Sequence, residues 1–291
     1  MTSQGRWPAG TAALALLFVF AAPADAQTRA DCERQYTPQR AQEGKDVIWE
    51  PTEDSMVGRM LEMANVTAAD KVYDLGSGDG KIVIAAAKHF GATGVGIEYD
   101  AGLVKHARCL AAAEGVADRV TFIQGDLFET DFSDATVVTL YLLPEINLRL
   151  RPTLLAMKPG TRIVAYSFPI ADWEPDAQID SFGDGSAFLW TVPANAAGAW
   201  TFRKANGAKA FEVVLEQSFQ QLGGLAGTSR VVGSLRGNEL NFGFMQGTEK
   251  VRVEGVVEAE RIVATVVRGE TSAKYVATRN EPAQRGHGVG P

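Results

Sequence analysis

Val72-Tyr73-Asp74-Leu75-Gly76-Ser77-Gly78-Asp79-Gly80 runs from a short apolar strand, Lys71 to Leu75, into a glycine-rich turn, and a helix opens behind it at Lys81. Glycine tolerates positive φ and lets a ligand lie against bare backbone. A helix that starts just after such a turn presents unpaired N–H groups to that ligand. The stretch is therefore a ligand-binding loop, and its chemistry has to identify the ligand.

Glycine falls at 76, 78 and 80, a G-x-G-x-G spacing with Asp74 two residues ahead. The dinucleotide fingerprint G-x-G-x-x-G needs glycine at position 81, where this chain has Lys81. An acidic residue beside the turn suits a cation better than a pyrophosphate. S-adenosylmethionine (SAM) carries an ammonium and a sulfonium and no phosphate; a nicotinamide cofactor and a purely structural turn are the competing readings. Asp74 to Gly80, D-L-G-S-G-D-G, resembles the first motif of class I SAM-dependent methyltransferases. That resemblance implies SAM as cofactor, held around Gly76, Ser77, Gly78 and Gly80.

Outward from the loop, strands and helices alternate. A helix over about 81–90 precedes a strand from Val95 to Glu98. A helix over about 101–114 stops at Gly115, and a strand from Val120 to Gln124 follows. Then come a strand from Val137 to Leu142, a Leu-rich helix over about 146–157 and a strand from Arg162 to Tyr166. Near-continuous apolar strands between helices predict a mostly parallel, Rossmann-like sheet covered on both faces. Upstream, Met56, Val57, Met60, Leu61 and Ala64 mark an amphipathic helix over 51–64, with Thr52 or Asp54 as its N-cap and its methionine face in the core.

In such sheets ligands sit beyond the carboxyl ends of the strands. Asp74 ends the first strand and suits the ammonium of SAM. Glu98 ends the second, where a carboxylate can accept both ribose hydroxyls. Asp126, after the third, can accept from the adenine amine, with Leu127 beside it; Phe128 reads equally as adenine wall or core. Each acid singly is also a turn-former or cap, but three at successive strand ends form a pattern. The fourth strand ends in Tyr141-Leu142-Leu143-Pro144-Glu145. Taking Glu50-Pro51-Thr52, D-L-G-S-G-D-G, G-I-E at 96–98, G-D-L-F at 125–128 and Y-L-L-P at 141–144 together, residues 47–175 resemble the bacterial relatives of the FAM173-type protein-lysine methyltransferases. The resemblance implies that Thr52, Gly76, Gly78, Glu98 and Asp126 are cofactor residues and that Tyr141 and Pro144 line the acceptor site. Glu145 is a further candidate for removing a proton from the acceptor. A protein lysine is then the expected acceptor. A small-molecule methyltransferase and a non-catalytic SAM-binding envelope protein are the alternatives.

Past residue 184 short β-rich runs between Gly and Asn turns take over, with Val251 and Val253 alternating with Arg252 and Glu254. They predict a small antiparallel barrel or sandwich over 185–280, with a loose tail over 281–291. Trp190, Trp200 and Phe202 read as the core of that domain, or as a recognition surface. The methyltransferase domain is thus assigned to 47–184 and a linker to 27–46. Residues 1–26, with Arg6, the apolar run Ala12–Ala22 and Ala24-Asp25-Ala26, read as a signal peptide for export, or as an uncleaved interfacial anchor. The run is too short to span a bilayer, and export sits in tension with a cofactor made in the cytoplasm.

With 291 residues, 46% of them hydrophobic, the chain can bury a large core. A net charge of −7 without a dense Lys/Arg stripe argues against a nucleic-acid substrate. No zinc spacing is present. Cys32 and Cys109 are the only cysteines; Cys109 reads as a small core residue, and a bridge between the two stays open.

Overall fold

The computed structural model describes residues 27–42, 44–181 and 185–280, so the leader at 1–26 and the tail at 281–291 lie outside the described residues. After α1 (Arg29–Gln35) and α2 (Asp54–Met63), strands and helices alternate: β1 (Lys71–Leu75), α3 (Lys81–Phe90), β2 (Thr93–Glu98), α4 (Ala101–Ala113), β3 (Val120–Gln124), β4 (Val137–Leu140), α5 (Pro144–Leu155) and β5 (Arg162–Tyr166). These five strands are parallel, and β6 (Ala177–Ser181) and β7 (Gly185–Thr191) complete the sheet in the order β3-β2-β1-β4-β5-β7-β6, with β7 antiparallel to β5.

Each central strand is apolar on both faces because both are covered. Val72 and Val137 pack toward α2, α3 and α4. Their neighbours Tyr73 and Val138 pack toward α5 and Trp173 on the other side. Successive side chains of a strand point to opposite faces, which is why the run has to be continuous rather than alternating. The chain leaves β1 toward β2 and β3 on one side, and returns to β4 and β5 on the other. The strand ends of β1 and β4 therefore open a crevice, the place where such sheets bind ligands.

The second unit is β8 (Gly198–Lys204), β9 (Lys209–Ser218), β10 (Gln221–Ala226), β11 (Ser229–Arg230), β12 (Val232–Arg236), β13 (Glu239–Gln246), β14 (Glu249–Glu258), β15 (Arg261–Arg268) and β16 (Thr271–Arg279). The pairing of β10 with β9 closes an antiparallel ring of eight strands, with short β11 outside it on β10. The unit is a barrel and not a sandwich. Trp200, Phe202, Val251, Val253 and Tyr275 fill its interior, while Arg252 and Glu254 face out.

Several boundaries differ from the sequence reading. Residues 27–46 contain a helix, α1, whose Thr28 and Asp31 form a capping box, and Cys32 of α1 is bonded to Cys109 of α4. The region is docked structure and not a linker. Strand β7 belongs to the first sheet, so 185 does not start the barrel; Trp190 lies in the sheet's core and Trp200 and Phe202 in the barrel's. Helix α5 starts at Pro144 rather than about 146, because proline's fixed φ suits the first helical turn. Neither Thr52 nor Asp54 caps α2: its N-cap is Glu53, and no side chain accepts there.

Candidate active site

The glycine turn after β1 is built for close approach. Gly76, Gly78 and Gly80 have φ of 78, 55 and 80°, a region in which a side chain is strained. The turn is pinned to β2 by Gly76 N–H and Ser77 N–H, both donating to the Ile97 carbonyl at 2.9 and 3.0 Å. Gly80 plays a different part from the other two. A Cβ there would lie 2.5 Å from the Phe122 ring, so its missing side chain admits core packing and not a ligand.

Two adjoining cavities meet over this turn. Gly76, Trp49, Glu50 and Tyr141 line both. The larger is walled by Glu98, Leu103, Asp126, Leu127 and Leu142. The smaller is walled by Thr52, Asp74, Ser77, Gly78 and Asp79. The three strand-end acids thus flank one crevice. Pro144 and Glu145 do not: both are exposed on the first turn of α5 and line neither cavity.

Each acid is held differently. Asp74 is buried, and burial pushes its carboxyl up to about 7; the Thr139 hydroxyl, donating at 2.7 Å, opposes this, while Asp79 and Glu98 add to it as like charges. Glu98 accepts from the backbone N–H of Gly78 and of Asp100, both at 2.9 Å, which fixes its carboxylate across the glycine turn. Asp126 accepts from Lys45 and from the Phe128 N–H at 2.9 Å, and these contacts, Lys45 first, hold it below the usual carboxylate range. Tyr141 stands at the exit of β4, with its ring 4.6 Å from that of Tyr166. Its phenol is pushed up mainly by burial, with Glu50 and Glu53 adding repulsion against the contact from Ser167.

Residues 44–50 form the roof of the larger cavity. Backbone bonds from Ala41 N–H to the Trp49 carbonyl and from Trp49 N–H to the Gln42 carbonyl, each 2.9 Å, close this segment on itself. Trp49 lies against Gly78, where a Cβ would collide with its indole Nε1. Lys45 bonds Asp126 and also lies 5.5 Å from the Tyr99 ring centre. From sequence Trp49 reads only as part of a docking segment and Glu50 only as part of a motif, and Lys45 is not singled out. The signal was there in the apolar Val47-Ile48-Trp49 inside a polar stretch, but its destination depends on tertiary contacts.

These features fit SAM. Asp74 is a buried carboxylate surrounded by like charge, which calls for a cation. Ser77 Oγ is buried beside it without a hydrogen-bond partner among the described residues. The glycine turn leaves room where side chains would otherwise stand. A doubly covered parallel sheet with acids at three successive strand ends, around a glycine turn, defines a class I SAM-dependent methyltransferase.

The profile of the ANTKMT methyltransferase domain matches residues 74–177. A protein-lysine N-methyltransferase of Saccharolobus islandicus (strain REY15A) is 44% identical over 131 residues, which cover 44% of this chain and 81% of that one. An adenine nucleotide translocase lysine N-methyltransferase of Mus musculus is 33% identical over 129 residues, which cover 44% of this chain and 55% of that one. A solved RNA methyltransferase of Salinibacter ruber, in complex with S-adenosyl-L-homocysteine, is 54% identical over 50% of this chain and 95% of that one, with a TM-score of 0.49. The chain belongs to the ANTKMT, or FAM173-type, family of SAM-dependent methyltransferases. The profile match ends before the barrel begins.

Proposed function

We propose that the protein transfers a methyl group from SAM to the ε-amine of a lysine in a protein substrate. The observation that carries this reading is the position of Tyr141. It lines both cavities at the end of β4, paired with Tyr166 and close enough to Glu50 and Glu53 to feel their charge. Acidic groups and aromatic faces attract an ammonium. The relative from Saccharolobus islandicus, named as a protein-lysine N-methyltransferase, supports the same acceptor.

SAM, when bound, supplies an electrophilic methyl on sulfur. The chain's residues do the rest. Asp74 would hold the positive end, Glu98 would offer its remaining lone pairs to hydroxyls, and Leu127 and Leu142 line the crevice with apolar surface. The lysine arrives as an ammonium and must lose a proton to become nucleophilic. Entry into the half-buried space beside Tyr141 disfavours its charge and lowers its pKa, and the proton leaves to water past Glu50. The neutral amine would then take the methyl that bound SAM offers, leaving S-adenosyl-L-homocysteine, and the alignment given by the crevice beside Tyr141 would supply much of the rate.

Two features support a proposal for the compartment. The Cys32–Cys109 disulfide suits an oxidising environment, and the signal-like leader at 1–26, outside the described residues, suits export. We assign the protein to the periplasm or outside the cell. Fractionation of a C-terminally tagged chain tests this, and cytosolic recovery with intact residues 1–26 rejects it.

The acceptor is tested by incubating the purified chain and isotope-labelled SAM with separate cytosolic and envelope extracts. Label in protein, recovered as methyl-lysine after hydrolysis, is the expected result. Label that is removed by ribonuclease, or that stays in small molecules, rejects the lysine reading.

A further inference from the structure

The roof over the cofactor crevice is attached to the molecule by a covalent bond remote from the glycine turn. Cys32, fully buried in α1, is bonded to Cys109 of α4, 77 residues away in sequence. Helix α4 directly follows Glu98 and Tyr99, and its Leu103 walls the larger cavity, so it belongs to the floor of the crevice. Helix α1 leads into the roof. Tyr36, its C-cap, packs its ring 5.7 Å from that of His106 on α4. Gln42 donates to the Tyr36 hydroxyl at 3.1 Å, and the Gln42 carbonyl accepts from Trp49 N–H. From Trp49 the contact passes to Gly78, and from Lys45 to Asp126. A series of contacts thus joins the disulfide to the glycine turn at Gly78, and Lys45 of the same roof segment reaches Asp126.

We propose that residues 44–52 are a working half of the cofactor site, with Lys45 and Trp49 as cofactor-holding residues, and that the Cys32–Cys109 disulfide positions them, so that the protein holds its cofactor tightly only when oxidised. Apart from the disulfide, the contacts of α1 and its flanks with α4 are non-covalent: the Tyr36 ring against His106, Gln27 Nε2 donating to Cys109 Sγ at 3.0 Å, and one ion pair. Helix α1 has seven residues, too few to persist as an isolated helix. Its ion pair to α4, Arg29 with Glu114, uses an arginine side chain that is 56% exposed, and pairs of that kind contribute little. Reduction by a dithiol transfers two electrons and two protons to Cys32 and Cys109 and leaves the dithiol as its own disulfide. Only the non-covalent contacts of Tyr36 and Arg29 then keep α1 on α4, and the roof is closed for a smaller fraction of the time. Apparent affinity falls in proportion to that fraction. The proposal rests on the cofactor reading alone and stands whichever acceptor is found.

The test is calorimetric titration with S-adenosyl-L-homocysteine of the oxidised chain, the dithiol-reduced chain and the Cys32→Ser/Cys109→Ser variant, with hydrogen exchange followed by mass spectrometry on the same samples. The expected result is a Kd weaker by about tenfold or more in the second and third samples, with faster exchange in residues 36–52 and recovery on reoxidation. Equal affinity in all three overturns the proposal, as does finding free thiols in the protein from an oxidising compartment. A weakening accompanied by faster exchange across β1 to β5 also overturns it, because the disulfide would then act on the fold as a whole. Absence of binding in every sample would instead reject the cofactor reading.

Discussion

Burial lifts Asp74 from an ordinary carboxyl value of 3.8 to about 7, so near neutrality much of it carries a proton in the free protein. In the unliganded chain the folded state binds this proton more tightly than the unfolded one. Its stabilising effect is complete below 3.8 and is lost as pH rises through about 7. An ammonium placed beside Asp74 favours the charged form and lowers its pKa, so cofactor binding releases a proton. Affinity for S-adenosyl-L-homocysteine is therefore expected to rise between about pH 5 and pH 7 and then level off, by up to about tenfold per pH unit. Calorimetry in buffers of different ionisation enthalpy measures both affinity and released protons. Asp74→Asn should abolish both effects, and a flat profile in the parent would refute the assignment. The glycines separate just as cleanly. Gly80→Ala drives a Cβ into Phe122 and should cost ~2 kcal/mol or more of stability in denaturant titration. Gly78→Ala pushes instead on Trp49 of the roof and should weaken cofactor binding more than it weakens the fold. At this scale the sequence made Asp74, Glu98 and Asp126 legible, since strand-end position follows from a local pattern. It misassigned Gly80 to the ligand, because contact with Phe122, 42 residues on, leaves no local trace.

Two residues at the start of α5 change what that helix can do. Reading the helix from about 146 leaves Tyr141 to Glu145 as a loop that can fold over the acceptor. With Pro144 as the first helical residue, the chain is committed to helix immediately after Leu143, and Glu145 turns outward into solvent. Tyr141, one residue past β4, stays in the crevice. Once an acceptor is in hand, Glu145→Gln is expected to keep kcat within about twofold of the parent, and Tyr141→Phe to lower it by about tenfold or more while cofactor affinity is retained. A large loss from Glu145→Gln would restore it as a proton acceptor. The other elements missed in the sequence were missed for related reasons. Strand β10 contains Gly223 and Gly224, which read as a turn; Gly224, at φ 118°, lets the backbone approach the Val214 carbonyl of β9, and so allows the ring to close. Helix α1 has a polar, charged sequence and one buried side chain that matters, Cys32, whose partner lies on α4. Elements held by one distant contact have no periodicity to reveal them.

At the scale of the molecule, the change from helix–strand alternation to short β runs is visible in the sequence, but the place where one body ends is not. β7 has the composition of the barrel strands, yet it completes the first sheet, because its pairing with β5 is a matter of register and not of local preference. What joins the two bodies is equally non-local. Trp173, in the core beside α5, donates through Nε1 to Gln220 Oε1 at 2.9 Å, and Gln220 Nε2 donates to the Glu174 carbonyl at 2.6 Å. Phe219 stacks on Trp173 with ring centres 5.9 Å apart, and Ala194 N–H donates to the Gly237 carbonyl at 2.7 Å. Gln220 is 6% exposed, so truncating it takes from the buried Trp173 N–H and the Glu174 carbonyl the hydrogen bonds it makes to them. Gln220→Ala should cost ~2–3 kcal/mol, because each buried group left unpaired keeps its desolvation penalty. The residue lines neither cofactor cavity, so affinity for S-adenosyl-L-homocysteine should change by less than about twofold at temperatures below the unfolding transition. Urea unfolding and calorimetry on the same preparation read the two quantities. A shifted urea midpoint with unchanged affinity would mean that the barrel is docked on the methyltransferase body without being wired to its cofactor site. A loss of affinity in step with stability would mean that the barrel takes part in shaping the crevice, and the boundary drawn between the two bodies would then be structural and not functional.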